Sequence, residues 1–264
     1  MIISIVGIGY GQDMTGTVAQ ALHDADVVIG HKDFLAAVRE LVRDEADCYD
    51  VRPGVGEVDD IFALRAQAAI DHAATGARVV IVSGGDPGLL GMAGPLLRRL
   101  HAQRSAGKLP EVRVLPGLSA WQYASARLGA PFNGGVCVLS LCLHSHSDEK
   151  IARQVGGVAA SGLGVVAYML RHNGEISPER YPTAEPAVEL SRRRFLLLRD
   201  TLLRHRDPDT PTFLVSRIGE PDEAVVRAPL HKSFDLWTQS GPESVFCVPG
   251  ADYESTADFV WSIT

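Results

Sequence analysis

The chain alternates short, unbroken apolar runs with stretches in which apolar residues recur every three or four positions, the pattern of strands buried on both faces interleaved with helices. Ile2 to Ile8 is the first such run, and it ends in the turn Gly7-Ile8-Gly9-Tyr10-Gly11. Thr15-Gly16-Thr17 opens a helical stretch to His23, Asp26 to Gly30 reads as a second strand, and Phe34 to Val42 and Asp59 to Ala74 read as amphipathic helices. Ala77 to Ser83 is the plainest strand. It is followed by Gly84-Gly85-Asp86-Pro87-Gly88, where glycine and proline stop a helix and a ligand loop is expected. A helix from Ala93 to Gln103, a strand from Val112 to Leu115, the turn Pro116-Gly117 and a helix from Ser119 to Leu128 complete the series. This alternation predicts an α/β domain with a mainly parallel sheet and helices on both faces.

Beyond Pro131 the pattern changes. Gly135 to Leu141 and Gly164 to Met169 read as strands, Asn173 to Pro186 as a polar, proline-bearing insertion, and Ala187 to Arg206 as a long helix. Thr212 to Ser216, Ala224 to Ala228 and Ser244 to Val248 then form three strands separated by turn residues. Two domains are expected, residues 1–131 as α/β and 132–264 as mixed α+β, with the active site in the cleft between them.

Composition narrows the function. Of 264 residues 46% are hydrophobic and 22% charged, as in an ordinary globular protein. The formal charge is −7 and no run of Lys or Arg could neutralise a phosphate backbone, so no nucleic-acid partner is expected. No apolar stretch approaches the roughly 20 residues that span a bilayer. Met1 to Gly9 also lacks the basic leader of a signal peptide, so a cytoplasmic protein with no membrane partner is expected. Cys48, Cys137, Cys142 and Cys247 form no CxxC pair and suggest neither a disulfide framework nor a cysteine zinc site.

Candidate chemistry collects in the loops. Gly84 and Gly85 let the main chain approach a ligand closely, and Asp86 can accept hydrogen bonds from a ligand amino group or orient the loop. Taken alone, the tetrapeptide is equally a plain strand-to-helix turn. Cys142, His144, His146 and Asp148 have the composition of a metal cluster, but two histidines in a polar loop fall short of a closed four-ligand site, and no metal is expected. Because histidine titrates near neutral pH, His144 and His146 are candidates to bind or deprotonate a substrate; the plainer reading is a solvated loop. Gly7 and Gly9 begin a dinucleotide fingerprint, yet Gln12 stands where its third glycine should be, which leaves the fingerprint incomplete and makes a Rossmann dehydrogenase a poor rival.

Five segments, in order, resemble the tetrapyrrole (corrin/porphyrin) methylase superfamily, and the resemblance runs from Met1 to about Gly250. They are Gly7 to Gly11; Ala25-Asp26-Val27-Val28-Ile29-Gly30; Ser83 to Ala93; Pro116-Gly117-Leu118-Ser119-Ala120; and Pro208-Asp209-Thr210-Pro211 leading to Arg217 to Glu223. The third in register with the fourth is the specific feature. Gly85 to Ala93 and Asp209-Thr210-Pro211 are most similar to precorrin-3B C17-methyltransferases, whereas Ala126 to Pro131 and Val138 to Leu141 are more similar to precorrin-6Y C5,15-methyltransferases. The chain departs from the family at Tyr10, where a proline is usual, and in a shorter loop before Thr15. It departs again at Cys142 to Asp148 and Tyr168 to Arg171, which do not reproduce the acceptor-side sequences of the C17 enzymes.

The resemblance implies a two-domain tetrapyrrole methylase fold, S-adenosylmethionine as methyl donor, a homodimer, and methylation of a corrin-precursor carbon in cobalamin biosynthesis. It also implies cofactor contacts at Tyr10, Gly84, Gly85, Asp86, Leu89, Ser119, Ala120, Met169 and Ile218, the last through the backbone of Arg217-Ile218-Gly219. Plainer roles stand beside these: Ser119 as a helix cap, Met169 as core, and Arg217 with Glu223 as a surface ion pair. A polycarboxylate tetrapyrrole needs a local basic lining. His31-Lys32, Arg52, Arg127 and Arg171-His172 are candidates, with Arg171, His144 and His146 taken as substrate-binding. Methyl transfer from a sulfonium is one in-line displacement that needs alignment at about 3–3.5 Å rather than a protein nucleophile, so no catalytic residue is singled out. Two alternatives stay open: the same fold acting on a specialised metabolite or peptide nitrogen, and a non-catalytic cofactor-binding protein, prompted by Tyr10 and the short first loop.

Overall fold

The computed structural model describes residues 1–10, 13–52, 61–104, 109–141, 146–171 and 184–263. The chain divides into two units, Met1–Ser119 and Ala120–Thr264. The first contains β1 (Ile2–Gly7), α1 (Gly16–His23), β2 (Val27–Ile29), α2 (Lys32–Val38), β3 (Asp47–Tyr49), α3 (Ile61–Ala74), β4 (Arg78–Ser83), α4 (Ala93–Gln103) and β5 (Glu111–Leu115). Its strands form one sheet in the order β3-β2-β4-β1-β5, and every pair is parallel. Successive residues of a strand face opposite sides. Ile3, Ile5, Val79 and Ile81 therefore pack on one side with Ala66, Ala69 and Ala73 of α3 and Leu96 and Leu100 of α4. Val6, Val80 and Val82 pack on the other with Val18 and Leu22 of α1. Helices cover both faces, as the alternation predicts. Thr15 caps α1 by accepting from the Val18 N–H at 3.3 Å.

The second unit contains α5 (Ala120–Leu128), β6 (Gly129–Ala130), β7 (Val136–Ser140), α6 (Asp148–Ser161), β8 (Gly164–Tyr168) and α7 (Ala184–Leu202). It continues with β9 (Pro211–Ser216), β10 (Ala224–Pro229), α8 (Phe234–Gln239), β11 (Ser244–Val248), β12 (Tyr253–Ser255) and β13 (Val260–Ser262). Its main sheet, β10-β9-β11-β8-β7, is mixed: β7 and β8 run parallel, and every other neighbouring pair is antiparallel. One face packs Ile151 and Val155 of α6, Phe195 and Leu198 of α7 and Trp237 of α8; the other packs Ala124 and Leu128 of α5. That packing explains why the division falls at Ser119 and not at 131. The apolar stripe of α5 completes the core of the second sheet, so this helix belongs with the residues that follow it.

Several elements were not expected from the sequence. Helix α6 carries ordinary signals: Ser147 caps it, Asp148 and Glu149 occupy its first turn, and Gly162 closes it with φ of 76°. Strand β3 is an exposed three-residue edge, and β12-β13-β6 form a second small sheet. Helix α2 ends at Val38 and passes into a short 3-10 turn instead of continuing to Val42.

Candidate functional site

In the first unit β4 and β1 are neighbours, with Gly7 opposite Ser83, yet their connections leave toward opposite faces. The loop after β1 leads to α1 on one side of the sheet, and the loop after β4 leads to α4 on the other. Such a switch point opens a crevice at the carboxyl ends of parallel strands, where α/β sheets bind ligands. The turn after β5 joins it, because β5 is hydrogen-bonded to the other side of β1.

Three main chains meet there, and at Gly7 and Gly117 there is no room for a side chain. A Cβ on Gly7 would lie 2.5 Å from the Gly85 carbonyl oxygen and 2.6 Å from the Gly117 nitrogen. Gly9 and Gly85 adopt left-handed backbone, with φ of 55° and 63°, and the Gly85 N–H donates to the Gly9 carbonyl at 3.2 Å. Asp86 fastens the crossing: Oδ1 accepts from the Gly88 N–H at 2.8 Å and Oδ2 from the Gly117 N–H at 3.2 Å. It orients the loop with both oxygens. Ser119 is buried, and its Cα lies 3.5 Å from a Cβ built on Gly85. The expected residues Gly84, Gly85, Asp86 and Ser119 therefore share one place. Leu89 is half-buried in the same loop, and its N–H donates to the Asp86 carbonyl at 3.2 Å. Tyr10, Leu90 and Leu118, one from each loop, keep 42%, 48% and 38% of their surface exposed, so the carboxyl edge presents apolar side chains to a ligand. The partnership of Gly7 with Gly117 was not foreseen; its signal is a glycine at the last position of β1 and another two positions beyond the end of its neighbour β5.

In the second unit, β8 and β9 both run antiparallel to β11 between them, so their carboxyl ends lie at the same edge. Met169 and Arg217, the residues directly after them, both have φ of 54°; with Leu90 they are the non-glycine residues of positive φ among those described. Such backbone is uncommon away from glycine and clusters at functional sites. Met169 packs against the core, as the plainer reading has it. Ile218 is only 2% exposed, so any ligand contact there comes from its backbone. Ala120 begins α5, and the Tyr168 hydroxyl accepts from the next N–H, that of Trp121, at 2.7 Å, satisfying one of the free donors of the first turn.

A family match covers residues 3–232 and carries the description Tetrapyrrole (Corrin/Porphyrin) Methylases. The chain belongs to this family. It is 30% identical to the precorrin-3B C(17)-methyltransferase of a Sinorhizobium species, covering 86% of this chain and 80% of that protein. It is 28% identical to the cobalt-factor III methyltransferase of Priestia megaterium over 84% of its own length but only 37% of that protein's. The crystal structure of the methyltransferase CobJ matches with a TM-score of 0.81 at 23% identity over 99% of both chains, a likeness of fold.

The acceptor-side residues expected in this tetrapyrrole methylase are placed unevenly. His144 and Cys142 lie outside the described residues. The Nδ1 of His146 is buried without a hydrogen-bond partner among the described residues. Burial, then the charges of Lys150 and Arg194, hold its pKa below the usual histidine value, so the ring is neutral at pH 7. Arg194, which sequence reasoning missed, is 5% exposed. It donates to the carbonyls of Leu141 at 2.7 Å and His146 at 2.8 Å and to Asp148 at 2.9 Å. Arg193 also pairs with Asp148, and among the described residues no cluster of His, Cys, Asp or Glu could hold a metal.

The proposed basic lining is largely committed elsewhere. Arg127 pairs with Glu223 at 2.5 Å, Arg52 with Asp50 at 2.6 Å and His31 with Asp33 at 3.2 Å. Arg171 lies over the Trp237 ring, 5.7 Å from its centroid, and donates to the Thr238 carbonyl at 3.4 Å. Lys32 is exposed at the start of α2, and His172 lies outside the described residues. The expected Arg217 to Glu223 pair is replaced. Arg217 bonds Asp222 at 2.5 Å, because Glu223 turns back to the Gly219 N–H at 2.8 Å and to Arg127. Among the described residues no helix is long and apolar enough to cross a membrane.

Proposed function

We propose that this chain is an S-adenosylmethionine-dependent methyltransferase acting on a carbon of a corrin precursor, in the manner of the precorrin-3B C17 step of cobalamin biosynthesis. The observation that carries the reading is the glycine crossing at the β1–β4 switch point, where a Cβ on Gly7 or Gly117 would collide with the neighbouring backbone and Gly85 holds left-handed backbone with φ of 63°. The names of the Sinorhizobium and Priestia relatives support the acceptor.

The residues present fit the cofactor. Gly84, Gly85, Leu89 and Ser119 would line it in the first unit around the loop that Asp86 holds, with Tyr10 and Leu90 offering apolar surface. Ala120, Met169 and the Ile218 backbone are the further cofactor contacts that the family resemblance implies. When bound, it supplies an electrophilic methyl on a sulfonium. The chain supplies alignment and exclusion of water, and the neutral His146 stands as a candidate contact to the acceptor. We place the enzyme in the cytoplasm as a homodimer with neither nucleic acid nor membrane as partner.

The test is calorimetric titration with S-adenosylmethionine and S-adenosylhomocysteine, then mass spectrometry after incubation with precorrin-3B or cobalt-factor III. Binding together with the gain of one methyl group on either acceptor supports the reading. A second reading, the same fold methylating a non-tetrapyrrole acceptor, is favoured by one observation: Arg127, Arg52 and His31 are already paired with Glu223, Asp50 and Asp33. Binding without methyl gain on either corrinoid would select it. Absence of binding would leave neither standing.

A further inference from the structure

Ser140 ends β7 and is 4% exposed, and its Oγ has no hydrogen-bond partner among the described residues. Other buried serines in this unit are paired: Ser191 donates to the Ala187 carbonyl at 2.6 Å, Ser240 to the Trp237 carbonyl at 2.7 Å, and Ser244 shares a bond with Ser216 at 2.8 Å. Ser233 is also unpaired, but it lies before α8, away from the strand ends considered above. A buried hydroxyl left without a partner destabilises a fold, and its retention calls for an explanation.

Position supplies one. Val136 and Val138 pack on the α5 side of the sheet, and by the two-residue repeat of a strand Ser140 follows them onto that face. Its register partner across the parallel pair is Tyr168, which packs on the same side. Tyr168 holds the Trp121 N–H, next to Ala120, and is followed by the left-handed Met169. Ser140 thus sits among the residues read above as lining the cofactor.

We propose that the Ser140 hydroxyl is a binding contact for S-adenosylmethionine, donating to an oxygen of the methyl donor and finding its partner only in the complex. The inference rests on the methyltransferase reading. It makes two thermodynamic demands that a packing serine would not meet together. Ser140→Ala removes an unpaired group from the free protein, so its urea midpoint without ligand should equal or exceed that of the wild type. The same variant should bind S-adenosylhomocysteine about tenfold more weakly, the size of one net hydrogen bond. Ser140→Cys, nearly isosteric and a weak donor, should fall between.

The experiment is urea denaturation without ligand, calorimetric titration with S-adenosylhomocysteine, and acceptor KM at saturating S-adenosylmethionine. A lowered ligand-free midpoint would mean that the hydroxyl is already paired in the free protein, and would overturn the inference. Unchanged S-adenosylhomocysteine affinity would overturn it too, with a raised acceptor KM then assigning the hydroxyl to the acceptor. If the wild type itself binds no S-adenosylhomocysteine, the methyltransferase reading fails, and this inference with it.

Discussion

Asp86→Ala should weaken cofactor binding while leaving the protein folded. The carboxylate accepts from Gly88 at 2.8 Å and from Gly117 at 3.2 Å, so one side chain ties the loop after β4 to the turn after β5. A hydrogen bond to a charged group contributes about 1.5–3 kcal/mol. The group is half-buried and the second bond is long, so the lower end applies, and the expected loss of unfolding free energy is about 2 kcal/mol. That is well below the roughly 5–15 kcal/mol of a folded domain, and the variant should remain native. Affinity should fall as well. Each 1.4 kcal/mol is about tenfold in Kd, and a loop released from Gly117 must be ordered again by the ligand, so S-adenosylmethionine should bind at least about tenfold more weakly. Asp86→Asn keeps one acceptor oxygen and should lie between the alanine variant and the wild type in both urea midpoint and calorimetric Kd. Wild-type affinity in Asp86→Ala would place the cofactor elsewhere. An unchanged urea midpoint would show that the two bonds do not hold the loop.

Gly7→Ala must push its Cβ away from backbone atoms 2.5 and 2.6 Å distant, so it should cost about 1–3 kcal/mol and abolish cofactor binding. Gly157→Ala, in α6 with open space around its Cβ, should instead stabilise by about 0.5–1 kcal/mol; equal urea midpoints for the two variants would refute the steric argument. Asp26 accepts from the Arg78 side chain and backbone and from Arg43, and the Arg78 bonds hold its carboxyl well below the usual range. Its contribution is therefore complete above the unfolded value near pH 4 and is lost as pH falls through the lower folded value. Asp26→Asn should accordingly be less stable than the wild type at pH 7, with the gap narrowing in acid, and a gap that stays constant down to pH 3 would contradict this. Burial pushes the Cys247 thiol up and leaves Cys48 exposed, so a brief iodoacetamide pulse on the native protein should alkylate Cys48 and spare Cys247. Peptide mapping with equal labelling of both would refute that burial.

What could be read from the chain follows the range of the interaction that decides it. Strands β1, β4 and β11 are legible because a strand buried on both faces needs an unbroken apolar run, and the Gly84 to Gly88 loop because its backbone geometry selects its residues locally. A three-residue strand such as β3, or the two residues of β6, holds no period to detect. Helix α6 carries local signals in Ser147 and Gly162, but Gly156 and Gly157 interrupt its apolar pattern. The apolar stripe of α5 shows that this helix is half-buried but not which sheet it covers, hence the boundary at 119 instead of 131. Charges are the hardest to read, because a long side chain reaches whatever the tertiary fold places near it. Arg127 finds Glu223, and Arg194 reaches back 46 to 53 residues along the chain to Leu141, His146 and Asp148. Gly7 and Gly117 obey the same rule although they carry no charge. Each alone is an unremarkable turn residue, and neither could be called indispensable until the pairing of β1 with β5 brought their backbones together beside Gly85.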